Sequence, residues 1–327
     1  METRNWYLAF ADFEAKGSSP TYEALARAVA DSPTLLGLLD ELPLIKRQPN
    51  LLLASARVCG APIEDPSTFV EAVIDAWDRI SSIMATRATQ TNEAARTGTF
   101  LPIISQLDGP IALIEVGCSA GLCLYPDRYR ISYDGAASLV ADSPVTIEVA
   151  ATGAVPIPRR LPNVVARIGV DLDPIEAADP DARAWLEALV WPEHTQRLER
   201  LRAAMRVVAD DPPTLIAGDL VDTIDDALAL VPDGATPVVF HSAVLNYVSH
   251  ADRQRFAARL DEHPDVVWIS NEGPGVLDGV TTDLVIPDHA SSAAYFLVVL
   301  GGRDVIGISD PHGSWIRWPD PPPTIRR

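Results

Sequence analysis

The residues best placed to do chemistry gather in one stretch, Ile111-Ala-Leu-Ile-Glu115-Val-Gly117-Cys-Ser119-Ala-Gly121-Leu. It reads as an apolar strand ending in a carboxylate, then a turn of small residues, then a helix start. Glycine admits positive φ and lets a ligand come close to the backbone. Free N–H groups at a helix start hold an anionic group. The turn has no Gly-Lys-Ser/Thr and is not a P-loop, and the dinucleotide pattern G-x-G-x-x-G is also missing. Two further acids stand in the same relation to apolar runs. Asp171, with Asp173 beside it, closes the run 164–170, and Asp219 follows the run 214–217. A small-residue turn also serves merely to pack a helix close to a sheet. Three acids on one carboxyl edge point further, because open α/β sheets bind ligands there.

Periodicity shows which elements must hold these residues. Residues 1–106 read as helices: Leu25, Ala28 and Val29 share a face, and helical spacing recurs over 51–58 and in Phe69, Val73, Ile74 and Trp77. Breaks at Pro33, Pro43, Pro49, Pro62 and Pro66 separate them. A further helix over about 91–106 leads to Asp108-Gly109-Pro110, read as the domain joint. Beyond it, apolar runs at 111–116, 164–170, 214–217, 237–240 and 266–270 alternate with helices at 181–209, 222–230 and 251–262. That alternation is the signature of a parallel sheet covered on both faces. Residues 295–300 and 304–309, joined by Gly301-Gly302-Arg303, predict a β-hairpin at its edge. Residues 125–163 break the alternation and are expected to form an inserted hairpin around Asp134-Gly135. The expectation is a helical N-terminal cap domain over 1–106. It precedes a Rossmann-like α/β domain over 107–327, mostly parallel, with helices on both faces and a C-terminal antiparallel hairpin.

Glu115-x-Gly117-x-x-x-Gly121 resembles motif I of class I S-adenosylmethionine-dependent methyltransferases, and further motifs follow in that superfamily's order. Arg167-Ile-Gly-Val-Asp171-Leu-Asp173-Pro is similar to the second strand, whose terminal acid binds the ribose hydroxyls. Leu215-Ile-Ala-Gly218-Asp219 is similar to the end of the third, where an acid faces the adenine amine. Val238-Val-Phe-His241-Ser242-Ala-Val-Leu245-Asn-Tyr247-Val resembles the fourth strand and the loop lining the reacting methyl group. The resemblance implies S-adenosylmethionine as cofactor and a small-molecule methyl acceptor. In its terms Glu115, Gly117, Ser119 and Gly121 order the methionine end, Asp171 and Asp173 the ribose, and Asp219 the adenine. A helix ahead of the first strand closes over the cofactor in such enzymes. That would bring in Asn92, Glu93 or Arg96, the alternative being a solvated helix face. Two departures stand out. Ser119 replaces the middle glycine of motif I, and Asp171 follows Glu115 at well over the usual ~20 residues. Asp134 sits near that usual spacing and is a rival ribose ligand, although 164–170 reads as a buried parallel strand and 129–133 as an exposed arm. The whole chain also resembles a bacterial family known only as a domain of unknown function, which implies no activity.

Methyl transfer from a sulfonium is an in-line displacement, so alignment supplies much of the rate, and a hydroxyl or amine acceptor must lose a proton. His241 is the first candidate base, because imidazole titrates near neutrality. A satisfied structural histidine is the alternative reading there. Tyr247, Glu272 and His312 lie in loops able to reach the same pocket. A second chemistry is written in the same turn: Gly117-Cys-Ser119-Ala-Gly121 satisfies G-x-S-x-G, the nucleophile elbow of α/β-hydrolases. Ser119 would be the nucleophile, His312 the base, and Asp283 or Asp288 the acid. Hydrolases place strands and an oxyanion loop ahead of the elbow, where this chain reads as helical, and Glu115 has no role in such an enzyme. A non-catalytic binding protein on a methyltransferase-like fold is the third reading. Trp185 and Trp191 read as packing residues.

Composition narrows the classes. The 26 basic and 45 acidic side chains give a formal charge of −19, a surface that repels phosphate backbones and favours solubility. Arg197, Arg200, Arg202 and Arg206 form a local basic run within it. Cys59, Cys118 and Cys123 have no C-x-x-C spacing, so neither a disulfide framework nor a metal site is expected. No signal-peptide order and no long apolar run is present, so a cytoplasmic protein without membrane or nucleic-acid partners is expected.

Overall fold

Runs rich in Val and Ile become most of the strands, and among the described residues ten strands join in one sheet. A computed structural model describes residues 2–136, 138–140, 142–288, 290 and 294–322. The strands are β1 (Pro110–Val116), β2 (Arg130–Tyr133), β3 (Thr146–Thr152), β4 (Asn163–Asp171), β5 (Thr214–Ala217), β6 (Thr236–Ser242), β7 (Val267–Glu272), β8 (Phe296–Leu300), β9 (Asp304–Ser309) and β10 (Trp315–Arg317). Across the sheet they stand in the order β2-β3-β10-β9-β8-β7-β6-β1-β4-β5. From β5 through β4, β1 and β6 to β7 all pairs are parallel. The pairs β7–β8, β8–β9 and β9–β10 are antiparallel. The fold is therefore Rossmann-like α/β with the C-terminal antiparallel hairpin that Gly301-Gly302-Arg303 predicted. Winding runs outward from β1 in two directions, through β4 to β5 and through β6 to β7. The reversal between β1 and β6 is the switch point at which such sheets open a crevice.

The chain separates into two compact units, residues 1–91 with 179–202, and residues 92–178 with 203–327. In the first, prolines open helices as well as ending them. Pro20, Pro33, Pro49 and Pro66 each begin one, and Ser19, Ser32 and Asp65 cap three of the four. A proline costs nothing there, because its missing N–H would have no helical partner. Trp191 packs in this unit against Phe10 and Tyr22 and donates its indole N–H to Asn50.

In the second unit, one face of the sheet buries Ile114, Val116, Ile168, Val170, Val239 and Trp268 under the helices Leu220–Ala229 and His250–Asp261. The opposite face carries the helix Thr97–Ile104, where the Phe100 and Phe240 rings lie 4.9 Å apart. Tyr133 donates its hydroxyl to the Gly98 carbonyl on the same helix.

Four expected elements take other forms. The hairpin over 125–163 does not form, because β2 and β3 pair in parallel at the far end of the sheet from β5. Asp134 and Gly135 turn the chain at positive φ. A two-residue hairpin needs the next strand at once, whereas β3 begins only at Thr146. The helix after the β1 turn shrinks to one short turn, Leu122–Leu124. Pro126 disfavours helical backbone at Tyr125, and Leu122, Leu124, Tyr125 and Tyr129 are all buried in its place. The helix over 91–106 starts only at Thr97, after the turn Ala94–Arg96. The helix over 181–209 splits into Pro180–Leu189 and Thr195–Asp210 around Pro192.

The loop between β9 and β10 is held by the buried Asp310, whose carboxylate accepts the N–H groups of His312 and Ser314. Its Gly313 has φ +79, and a Cβ there would lie 2.4 Å from the carbonyl oxygen of Ala95. Gly313→Ala is therefore expected to cost about 2–4 kcal/mol, from a left-handed non-glycine residue and an overpacked backbone contact. Urea denaturation checks it, and an unchanged midpoint would show that the loop is not seated on residues 95–96.

Candidate functional site

β1 ends between β4 and β6, so the loops after these three strands meet at the switch point. Side chains alternate along a strand. Glu115 therefore projects away from Ile114 and Val116, to the face that carries the helix Thr97–Ile104. Its Oε2 is buried and makes no hydrogen bond. Burial pushes the carboxyl up to about 8, offset only in part by hydrogen bonds from Cys123 and by the nearby Arg96 guanidinium. Burial likewise raises the Cys123 thiol well above its ordinary value, with Glu115, Arg96, Thr97 and Glu93 around it.

Arg96 is only 7% exposed. Its Nε donates to the Pro311 carbonyl at 2.8 Å and its Nη1 to the Ser242 carbonyl at 3.2 Å. From Ser242 the chain of bonds continues inward. Asn271 donates to the Ser242 hydroxyl at 3.0 Å, and Ser309 donates to the Asn271 side-chain carbonyl at 2.8 Å. Arg96 thus closes a polar circuit through the ends of β6, β7 and β9. Four residues earlier in the chain, Asn92 has a buried Nδ2 without a hydrogen bond, and Glu93 accepts the Ala95 N–H.

The turn itself is pinned by β4. Gly117 and Cys118 both donate to the Val170 carbonyl. Ser119 adopts φ 47 and donates its N–H to Asp171 Oδ2 at 2.8 Å, while its carbonyl accepts the Ile175 N–H at 2.9 Å. Asp171 Oδ1 accepts the Asp173 N–H. Asp171 is therefore the acid that adjoins the turn. The rival Asp134 lies on the distant β2 side, where it accepts the Ala151 N–H. The anion-holding helix start expected at Gly121 is not formed, since only a three-residue turn follows. Asp173 is exposed. Asp219, also exposed, caps the helix Leu220–Ala229 by accepting the Val221 N–H.

His241 lies elsewhere. It projects from the face opposite Glu115, has no exposed surface, and has both ring nitrogens occupied. Nδ1 lies 2.7 Å from Glu272 Oε1, and Nε2 accepts the Trp268 indole N–H at 3.0 Å. A nitrogen that already accepts a bond cannot take a substrate proton, so the structural alternative at 241 describes it. Glu272 is buried with it, and its Oε1 also accepts the N–H groups of Val244 and Leu245. Tyr247 is 86% exposed, and His312, Asp283 and Asp288 are exposed as well. Orienting acids in catalytic triads are buried, which neither Asp283 nor Asp288 is.

Sequence reasoning did not single out Leu172, which is 76% exposed directly after Asp171, or the Ser242–Asn271–Ser309 chain. The available signal was Ser270-Asn271-Glu272, a polar run that ends an otherwise apolar strand. Among the described residues no cluster of His, Cys, Asp and Glu is arranged to hold a metal ion, and no helix is long and apolar enough to cross a membrane.

Residues 4–318 match the family described as "Uncharacterized protein conserved in bacteria (DUF2332)", and the chain belongs to that family. No curated protein matches the chain. The likeness to methyltransferases rests on the residues quoted above and not on a family match.

The raised carboxyl of Glu115 has a consequence for stability. The folded state holds its proton more tightly than the unfolded chain, whose carboxyl sits near 4.5, so stability is lost as pH rises from about 5 through 8. Glu115→Gln keeps the shape and removes the ionisation. It is expected to match the wild type near pH 5 and to be more stable at pH 8, on the order of a few kcal/mol. Thermal melts across that range check this, and parallel curves for the two proteins would refute it.

Proposed function

We propose that this protein binds S-adenosylmethionine at the carboxyl edge around Glu115 and Asp171 and catalyses methyl transfer to a small-molecule acceptor. The observation that carries the reading is the buried Glu115 Oε2 without a hydrogen bond at the switch point of the sheet. A buried acceptor is costly to leave unpaired, and a ligand ammonium would pair it. Asn92 Nδ2, a buried donor without a partner, supports the same reading. Asp171 spends one bond on each oxygen, so lone pairs remain for two ribose hydroxyls. Asp219, at the end of β5, has comparable spare capacity toward an adenine amine. Leu172 offers an exposed apolar surface directly after Asp171. Bound there, S-adenosylmethionine supplies an electrophilic methyl group on a sulfonium. The protein's contribution is to hold and orient: Glu115 and Asn92 at one end, Asp171 and Asp219 at the other, and the Arg96 circuit as a rigid floor. Neither His241 nor Glu272 serves as base in this account. An acceptor that must lose a proton meets Tyr247 or His312, both on the exposed side.

One observation favours the serine-hydrolase reading: Ser119 stands at positive φ within G-x-S-x-G, as a nucleophile elbow requires. The two readings part at single residues. S-adenosylhomocysteine at a hundredfold excess over its dissociation constant should stabilise the protein by ~2.7 kcal/mol. The shift is expected to vanish in Asp171→Ala and to persist in Ser119→Gly. No shift in the wild type, together with fluorophosphonate labelling of Ser119, would replace this reading with the hydrolase.

A further inference from the structure

We infer that His241 and Glu272 form a positioning pair, which sets the turn 117–121 from the other face of the sheet by way of Val244. This deepens the reading above, since that turn is where it places the ligand. Four donors and acceptors are arranged in line. Trp268 donates its indole N–H to His241 Nε2, and His241 Nδ1 lies 2.7 Å from Glu272 Oε1. That same oxygen accepts the N–H groups of Val244 at 2.9 Å and Leu245 at 3.1 Å. With both its neighbours bonded, the ring carries its proton on Nδ1 and donates it to Glu272.

Three bonds converging on one buried oxygen fix the loop after β6, which needs fixing. Ala243 within it has φ 58, a left-handed backbone that costs a non-glycine residue about 1–2 kcal/mol. Holding the loop places the Val244 side chain over Gly117. A Cβ at Gly117 would lie 2.3 Å from Val244 Cγ2, so that methyl occupies the space the glycine leaves. Gly117 and Cys118 bond to Val170 directly beneath. The β1 turn is thus clasped between Val170 on one side and Val244 on the other, and Glu272 sets where Val244 stands. The pair acts on the turn through this one contact.

Hydrogen exchange at the amides of Gly117, Cys118 and Gly121 tests this without any ligand. Glu272→Leu removes the accepting oxygen, and Val244→Ala removes the contact. Each is expected to speed exchange at the turn by about tenfold or more, while β8 and β9 stay protected. Glu272→Gln retains an accepting oxygen and should restore wild-type protection. The Glu272→Leu, Val244→Ala double variant should exchange no faster at the turn than either single variant. Wild-type protection of the turn in Val244→Ala overturns the inference, even if Glu272→Leu fails to fold. So does loss of protection spread equally over β8 and β9, or failure of Glu272→Gln to restore it. S-adenosylhomocysteine binding by the wild type is measured separately. Its absence would remove the cofactor reading and leave the exchange result standing.

Discussion

Everything at the candidate site depends on β1 being paired in parallel on both sides. Parallel pairing lines up the carboxyl ends of neighbouring strands, so the loops after β4, β1 and β6 leave the sheet together. In that register Glu115 stands opposite Gly169 on one side and Phe240 on the other. Gly169 is what lets the turn fold back over β4, since a Cβ there would lie 2.6 Å from Cys118 Sγ. The carboxylate of Asp171 can then reach the Ser119 N–H, and the β1 turn is tied to its neighbour by a charge-assisted bond.

Each face of the sheet buries a carboxylate with one oxygen unpaired, and the faces differ in what surrounds it. On one, Glu272 Oε1 gathers His241 and two backbone N–H groups, while its Oε2 is buried without a hydrogen bond. On the other, Arg96 is bonded to carbonyls while Glu115 keeps one oxygen unpaired. An unpaired acceptor in a low-dielectric site is a cost that the fold bears continuously. Such costs gather where a ligand is to be met, because binding removes them.

Much of this was legible in the residue order. The apolar runs ending in Glu115, Asp171 and Asp219 named the central strands, and the alternation with helices named the fold class. The stretch 129–133 reads as an exposed arm, whereas Tyr129, Ile131 and Tyr133 are buried. What escaped were features that depend on partners distant in sequence. β3 joins the rest of the sheet through β10, a strand of three residues that no periodicity reveals. The role of His241 hinges on Trp268 and Glu272 on the neighbouring strand. A histidine ending an apolar strand reads the same whether its nitrogens are free or taken.

If a ligand ammonium pairs with Glu115, the proton that burial favours on the free carboxyl must leave on binding. Isothermal titration of the protein with S-adenosylhomocysteine at pH 7, in two buffers of different ionisation enthalpy, measures it directly. With the Glu115 carboxyl raised to about 8 in the free protein, binding should release close to one proton. The release should disappear in Glu115→Gln. Binding heats that are the same in both buffers, or a release that survives in Glu115→Gln, would contradict the account.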